Sequence, residues 1–322
     1  MREVLEELDA WRKAGEDIAV ATVVETWGSS PRPLGSKMLV TRSGKMAGSV
    51  SNGCIEGDVF TEAQGVLKSG EPKLAAYGVA DDVAFEVGLA CGGHIEVFIQ
   101  PLGGEHERLI EMLSRDEPAT LRTNLGSGET ELIQGAGSDS ELARRDGDWF
   151  VEPFRRQARL VIIGAIHIAI PLHRLAKLMG YRVTVIDARA KFANQERFPD
   201  ADQLIVAWPD EGLRQIAVDS STYVVILTHD PKFDLPALRS VLKEDAGYIG
   251  AIGSRKTNQN RFDALRAEGF TEEQLSRVHG PIGLDLGGRG AEVTALGILA
   301  EVTAVRFGGT GSPMREVKAG RA

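Results

Sequence analysis

The chain has 322 residues, of which 43% are hydrophobic and 26% charged, and its formal net charge is −9. That length admits two ordinary domains, because single cores usually stop growing below it, and the composition excludes a disordered or fibrous chain. The acidic balance excludes a general nucleic-acid binder, which would carry a basic face, and leaves only local basic pockets open. No apolar run approaches the ~20 residues needed to span a bilayer. The start, Met1-Arg2-Glu3-Val4-Leu5-Glu6-Glu7, is acidic and helix-like rather than signal-like, so a cytoplasmic protein without a membrane partner is expected. The two cysteines, Cys54 and Cys91, match no CxxC spacing; this argues against structural zinc or a disulfide framework and leaves the chemistry of individual thiols.

In chain order, Val4, Leu5, Leu8 and Trp11 stand at helical spacing within residues 2–15, and an apolar run over 18–24 predicts a buried strand. The stretch Trp27-Gly28-Ser29-Ser30-Pro31-Arg32-Pro33-Leu34-Gly35-Ser36 is too rich in breakers for regular structure, and such long shaped loops more often bind than space. A strand over 37–41 follows. The glycine-rich run from Ala47 to Asp58 then opens a helix over about 55–67, whose first N–H groups can receive an anion. A second such turn, Gly88-Leu89-Ala90-Cys91-Gly92-Gly93, precedes a strand over 94–100, so each cysteine sits in a glycine-rich loop. Residues 103–153 predict a helix over 105–114, strands near 119–124 and 130–134, and a flexible polar stretch over 135–148, together a connecting module.

From Arg159 the pattern becomes regular. Strands at 159–163, 182–186, 203–206, 222–227 and 247–250 alternate with helices at 168–179, 210–218, 234–244 and 255–268, which predicts a parallel sheet with right-handed crossovers. A long apolar helix over 291–307 closes the chain, with Leu296, Ile298, Leu299 and Val302 facing the core.

The turn Val161-Ile162-Ile163-Gly164-Ala165-Ile166-His167, with Asp187 ending the next strand, comes near a dinucleotide fingerprint. Ile166 takes the slot of the second glycine, where a side chain obstructs the pyrophosphate, so NAD(P) in the usual pose is disfavoured. Gly164 reads equally as a close-packing turn, and Asp187-Ala188-Arg189 as a ribose ligand or as a cap with a salt bridge. Thr228-His229-Asp230, Gly253-Ser254-Arg255-Lys256 and the run from His279 to Asp285 all follow later strands. Open α/β sheets bind ligands at that edge, so the three clusters converge on one crevice. Gly253–Lys256 offers N–H groups and two cations to a phosphate, or is a solvated helix cap. His229 reads as a titrating group or as a structural partner of Asp230, and His167 carries the weaker signal. Cys54, just before a helix start, reads as a nucleophilic or soft-metal thiol or as a small loop residue; Cys91 has the same two readings. Glu56 is an acid/base or a first-turn carboxylate.

Taken in order, Gly53-Cys54-Ile55-Glu56, Cys91-Gly92-Gly93-His94-Ile95-Glu96-Val97, Thr228-His229-Asp230, Gly250-Ala251-Ile252-Gly253-Ser254-Arg255-Lys256 and His279-Gly280-Pro281-Ile282-Gly283-Leu284-Asp285 resemble the XdhC/CoxI family, the xanthine dehydrogenase accessory factors. The resemblance covers nearly the whole chain. It implies an N-terminal α/β XdhC/CoxI domain over 1–102, a connecting segment over 103–157, a doubly wound, parallel-sheet, Rossmann-like domain over 158–310 and a flexible tail over 311–322. It implies a chaperone that holds molybdenum cofactor (molybdopterin), protects it during sulfuration by a cysteine desulfurase and delivers it to a molybdenum hydroxylase apo-enzyme.

On that reading Cys54 or Cys91 contacts the metal. Gly53, Glu56, Gly92, Gly93, Gly164, His167, Asp187, Arg189, Thr228, His229, Asp230, Gly253, Ser254, Arg255, Lys256 and Asp285 are the further cofactor-binding residues. A homodimer is expected, since a carrier presents a face to its clients. Two departures bear on the second domain: the family's Gly-Ala-Gly-His turn is Gly164-Ala165-Ile166-His167, and its Thr-Pro before the last Glu is replaced by Arg289-Gly290-Ala291-Glu292. The competing reading is a nicotinamide-dependent oxidoreductase using Asp187 for ribose and His229 as acid/base; a third is a purely structural partner of a dehydrogenase.

Overall fold

The computed structural model describes residues 1–28, 32–78, 93–135 and 142–317. The chain divides into two compact units, Met1–Arg156 and Gln157–Ala322. Residues Ser29–Pro31, the second cysteine loop through Gly92, 136–141 within the polar stretch and 318–322 of the tail lie outside the described residues.

The first unit opens with a 3-10 turn and helix α1 (Leu5–Lys13), then β1 (Ile18–Trp27), β2 (Lys37–Thr41), β3 (Met46–Gly48), helix α2 (Glu56–Ser69), β4 (Lys73–Tyr77) and β5 (His94–Pro101). The five strands form an antiparallel sheet in the order β3-β2-β1-β5-β4. β1 is the central strand, and its run of apolar residues is buried on both faces, as a covered strand requires. Ala19, Ala21 and Val23 pack with Val59, Ala63 and Val66 of α2, while Ile18 and Val20 pack with Leu8 of α1 and Leu109, Ile110 and Leu113 of α3 (Gly104–Ser114). The period-2 alternation of the strand thus meets two helical stripes.

The segment 103–157, expected to connect two domains, carries α3 and a four-stranded sheet, and all of it but Gln157 falls in the first unit. This sheet joins β6 (Ala119–Asn124), β7 (Thr130–Gln134), β8 (Arg144–Asp146) and β9 (Trp149–Phe154) in the order β7-β6-β9-β8. Lys37 of β2, 1% exposed, donates to Thr22 Oγ1 at 2.9 Å and to Glu152 Oε1 of β9 at 2.6 Å, tying the two sheets together through a buried ion pair.

The second unit alternates β10 (Arg159–Ile163), α4 (Ala169–Leu178), β11 (Arg182–Ile186), β12 (Gln203–Ile205), α5 (Pro209–Leu213), β13 (Thr222–Ile226), α6 (Pro231–Val241), β14 (Tyr248–Ala251), α7 (Arg255–Ala267), α8 (Glu272–Ser276), β15 (Val278–His279) and α9 (Ala291–Phe307). All strands run parallel in the order β12-β11-β10-β13-β14-β15, the doubly wound Rossmann arrangement. Leu160 and Ile162 of β10 face one core with α4 and α9, while Val161 and Ile163 face the other with α6 and α7. Among the described residues, no helix is long and apolar enough to cross a membrane.

Candidate functional site

Each unit carries a candidate site, and each is described separately. In the first, residues 49–55 form the loop that enters α2. The Glu56 carboxylate accepts five hydrogen bonds from it: Ser49 Oγ at 2.5 Å, Val50 N at 3.2 Å, Ser51 N at 2.8 Å, Ser51 Oγ at 2.5 Å and Gly53 N at 2.8 Å. Burial alone would raise this carboxyl's pKa, yet the Ser49 and Ser51 donors outweigh it and bring it down to about 2. Ser51 Oγ in turn accepts from Cys54 N and Ile55 N, both at 3.0 Å. Glu56 is therefore spent on fixing the loop. The Cys54 thiol stands exposed on it, with no disulfide. Gly93 is buried and its Cα lies against Gly28, whereas Cys91 and Gly92 lie outside the described residues. Among the described residues, no group of three or more His, Cys, Asp or Glu side chains could hold a metal ion by itself. A lone exposed thiol suits an ion that arrives with other ligands already bound.

The second unit's candidates gather at the carboxyl edge of its parallel sheet. Gly164, just after β10, has φ +99°, and a Cβ there would come within 2.7 Å of Thr228 Cγ2. Glycine is required at this point by the close approach of the β10 and β13 ends. Asp187, 4% exposed, accepts Ala165 N at 2.8 Å, Arg189 N at 2.9 Å, Arg189 Nε at 2.8 Å and Arg189 Nη2 at 2.8 Å. Burial opposes ionisation, but Arg189 and the two amides hold the carboxyl below its usual range. Of the two readings of Asp187-Ala188-Arg189, the geometry is that of the salt bridge, and both oxygens are engaged. Ile166 packs against the α4/α9 core, and His167 is exposed on the turn.

Thr228 Oγ1 donates to Asp234 Oδ1, and Asp234 Oδ2 accepts from Arg261 Nε at 3.1 Å and also from Arg261 Nη2. Arg261, 3% exposed, also donates to Ile252 O at 2.6 Å and to Asn258 Oδ1 at 2.7 Å. This buried network locks the ends of β13 and β14 to the starts of α6 and α7, and so positions both ligand-edge loops. His229 and Asp230 are exposed on the first loop, where Asp230 caps α6 by accepting Lys232 N at 3.0 Å. On the second, Ser254 caps α7 by accepting Thr257 N at 3.0 Å, beside Gly253.

Arg255 and Lys256 occupy the first two positions of α7, are exposed, and have no ion-pair partner among the described residues. The helix dipole disfavours cations at that end, and no acidic residue stands in the first turn to offset them. Exposed Lys191 and Lys232, after β11 and β13, are likewise without an ion-pair partner among the described residues. These four cations follow strands of one sheet edge, beside the exposed Asp230, and suit an anionic ligand. The last loop is held from beneath: Glu301 of α9 accepts Tyr248 Oη at 2.6 Å and Gly283 N at 2.7 Å and contacts His279 Nδ1 at 3.3 Å. Asp285 is exposed beyond it and accepts Gly287 N at 3.0 Å.

Sequence reasoning did not single out Ser49, Ser51, Asp234, Asn258, Arg261 or Glu301, the residues that hold these loops. A signal existed for two of them. Asn258 and Arg261 share the buried stripe of α7 with Leu265, at spacings of three and four, and polar residues in an apolar stripe mark a buried network.

The chain matches the family description "XdhC and CoxI family" over residues 11–78 and "XdhC Rossmann domain" over residues 160–302. It is 27% identical over 324 residues to a Bacillus subtilis (strain 168) protein named as a probable xanthine dehydrogenase subunit, covering 93% of this chain and 96% of that one. It is 28% identical over 299 residues to an Escherichia coli (strain K12) protein named "Molybdenum cofactor insertion chaperone PaoD", covering 91% of this chain and 85% of that one. A solved structure described as a xanthine dehydrogenase from Bacillus halodurans superimposes with a TM-score of 0.79 at 25% identity, covering 96% of this chain and 98% of that one. The two family segments fall one in each unit, in order, and the relatives align through both; the chain belongs to the XdhC and CoxI family.

Proposed function

We propose that this protein is an accessory protein of molybdenum hydroxylases that holds molybdenum cofactor as cargo, shields it during sulfuration by a cysteine desulfurase and hands it to a cytoplasmic apo-enzyme such as xanthine dehydrogenase. The observation that carries the reading is the exposed Cys54 thiol on a loop fixed in advance by Glu56. A thiolate is a soft donor suited to molybdenum, and the dithiolene of the cofactor supplies the remaining ligands. Cys91 is the second thiol of the same chemistry. The second unit's sheet edge, where Arg255 and Lys256 stand exposed and Ser254 caps their helix, is a separate candidate site for an anionic ligand. The name of the Escherichia coli relative supports the same role. The chain works as a carrier and performs no turnover of its own, and it acts as a homodimer.

A nicotinamide-dependent oxidoreductase is the weaker reading. Asp187 has both oxygens engaged by Ala165 and Arg189, which leaves it poorly placed to receive a ribose, and Ile166 stands where the fingerprint needs glycine. The test is to add released cofactor to the purified protein and measure co-eluting molybdenum and pterin. Stoichiometric retention is expected, reduced in Cys54→Ala and in an Arg255→Glu/Lys256→Glu variant. Retention lost in Cys91→Ala and kept in Cys54→Ala transfers the metal contact to Cys91. No retention by the unaltered chain, together with saturable NAD(H) binding and turnover, refutes the carrier.

A further inference from the structure

Helix α9 is apolar nearly all round. Its charged residues are Glu292, Glu301 and Arg306, and Glu301 is turned inward to Tyr248 and Gly283. A helix of that composition is ordinarily covered on every side, yet the second unit covers only one side of this one. Ala295, Ile298, Leu299 and Val302 are buried in the core shared with α4. Leu296, expected to face that core, is instead 50% exposed. It belongs to a second stripe, formed by Val293, Leu296, Ala300, Thr303 and Phe307 at intervals of three, four, three and four residues. Phe307 is 64% exposed, and the Thr303 hydroxyl is spent on Leu299 O at 2.7 Å. Beside α9 on the same face of the sheet, α4 ends at Leu178, 85% exposed, followed by exposed Met179. The ends of the two helices meet, because the Arg306 guanidinium lies 5.1 Å from the ring centroid of Tyr181.

Single exposed apolar residues need no explanation, but a row at this spacing is the seam with which one helix packs into another. The ends of α9 indicate which helix. Glu292 and Arg306 stand fourteen residues apart, two heptads, on the same flank of the stripe, and neither has an ion-pair partner among the described residues. About Ala300 the row is close to its own reverse, with Val293 and Phe307 seven residues to either side. An antiparallel second copy therefore sets Val293 against the partner's Phe307, Leu296 against the partner's Thr303 and Glu292 beside the partner's Arg306. A parallel copy would bring like charges together at both ends.

We propose that the outer stripe of α9, extended by Leu178 and Met179, is a homodimer interface in which two copies of α9 pack antiparallel about Ala300 on a two-fold axis. The proposal rests on the reading of the chain as a homodimer and supplies the surface and the register. At 1.5 Å per residue α9 is about 25 Å long. With the end of α4 beside it, the face is on the scale of the ~800 Å² that each partner of a standard interface buries.

The test is analytical ultracentrifugation of the full chain over a concentration series, with far-UV circular dichroism to show that each variant is folded. We expect a dimer whose dissociation constant rises about a hundred-fold or more in Leu296→Glu and in Phe307→Glu, and is unchanged in Val206→Lys, an exposed apolar position beyond β12. Glu292→Arg and Arg306→Glu should each weaken the dimer several-fold, and the double variant should recover most of the loss, as only the antiparallel register requires. A dimer indifferent to Leu296→Glu overturns the interface and leaves the homodimer standing. A monomeric unaltered chain overturns both. Absence of recovery in the double variant overturns the register. Molybdenum cofactor retention is measured on the same samples: a dimer that dissociates in Leu296→Glu but retains no cofactor keeps the interface and refutes the carrier.

Discussion

Removing Arg261 tests whether the second unit's ligand edge is held by the buried network beneath it. In Arg261→Met the Asp234 carboxylate, 0% exposed, loses the guanidinium that bonds its Oδ2 and keeps only Thr228. An abandoned buried charge costs about 3–5 kcal/mol. Asp234→Leu is milder, because the guanidinium retains Ile252 O and Asn258 Oδ1, and a loss of about 2–3 kcal/mol is expected. The double variant Asp234→Leu/Arg261→Met leaves no charge stranded and should lose only about 1–3 kcal/mol, so the cycle predicts a coupling of at least ~2 kcal/mol. Urea unfolding read by fluorescence is the assay, with Trp11, Trp27 and Trp149 replaced by Phe so that Trp208 alone reports on the second unit. The same Arg261→Met chain should retain less cofactor, because the loops around Thr228 and Ser254 lose a shared anchor. Additive single losses, with coupling under ~0.5 kcal/mol, would refute the network as the positioning element.

Glu56 makes a pH prediction. Its folded pKa, about 2, lies below the ordinary 4.5, so its stabilisation is present above pH 4.5 and lost as the pH falls from there to about 2. After allowance for its partial solvent screening, the effect is on the order of 1–2 kcal/mol. Denaturation midpoints of the unaltered chain and Glu56→Gln should converge across that window; parallel curves refute the reasoning. Gly164→Ala combines a left-handed backbone with a Cβ 2.7 Å from Thr228 Cγ2, and a loss of about 2–4 kcal/mol is expected in the thermal or urea unfolding of the second unit. A loss under ~0.5 kcal/mol would mean that the β10 and β13 ends part easily.

Much of the second unit was legible because its strands are covered on both faces and read as plain apolar runs, with helical stripes between them. Where strands are short or lie at an edge, the pattern fades. β3 has three residues, β15 has two, and β4 exposes Lys73 and Leu74 in succession, so none alternates long enough to read. β9 was hidden by Pro153, which ordinarily argues against a strand. Here Pro153 pairs with Thr120 beyond the end of β8, which reaches only as far as Val151. At the sites, glycine-rich turns announced where the loops are, since backbone conformation is written in glycine. They did not announce what holds them. Glu56 as a five-fold acceptor and Asp234 with Arg261 depend on contacts between segments far apart in sequence or on loop closure that spacing does not encode. Asp187 was readable as an acidic strand end, but its engagement by Arg189 rests on a side-chain direction that only the folded turn fixes.

On the proposed role the protein must release its cargo as well as hold it, and the Glu56 clasp bears on the release. Because the loop around Cys54 is already ordered by its own carboxylate and serine contacts, capture of a cargo requires no folding of that segment and release requires no unfolding. On that reading the residence of a cargo on this loop is set by the bond the thiol makes and not by refolding of the segment that carries it.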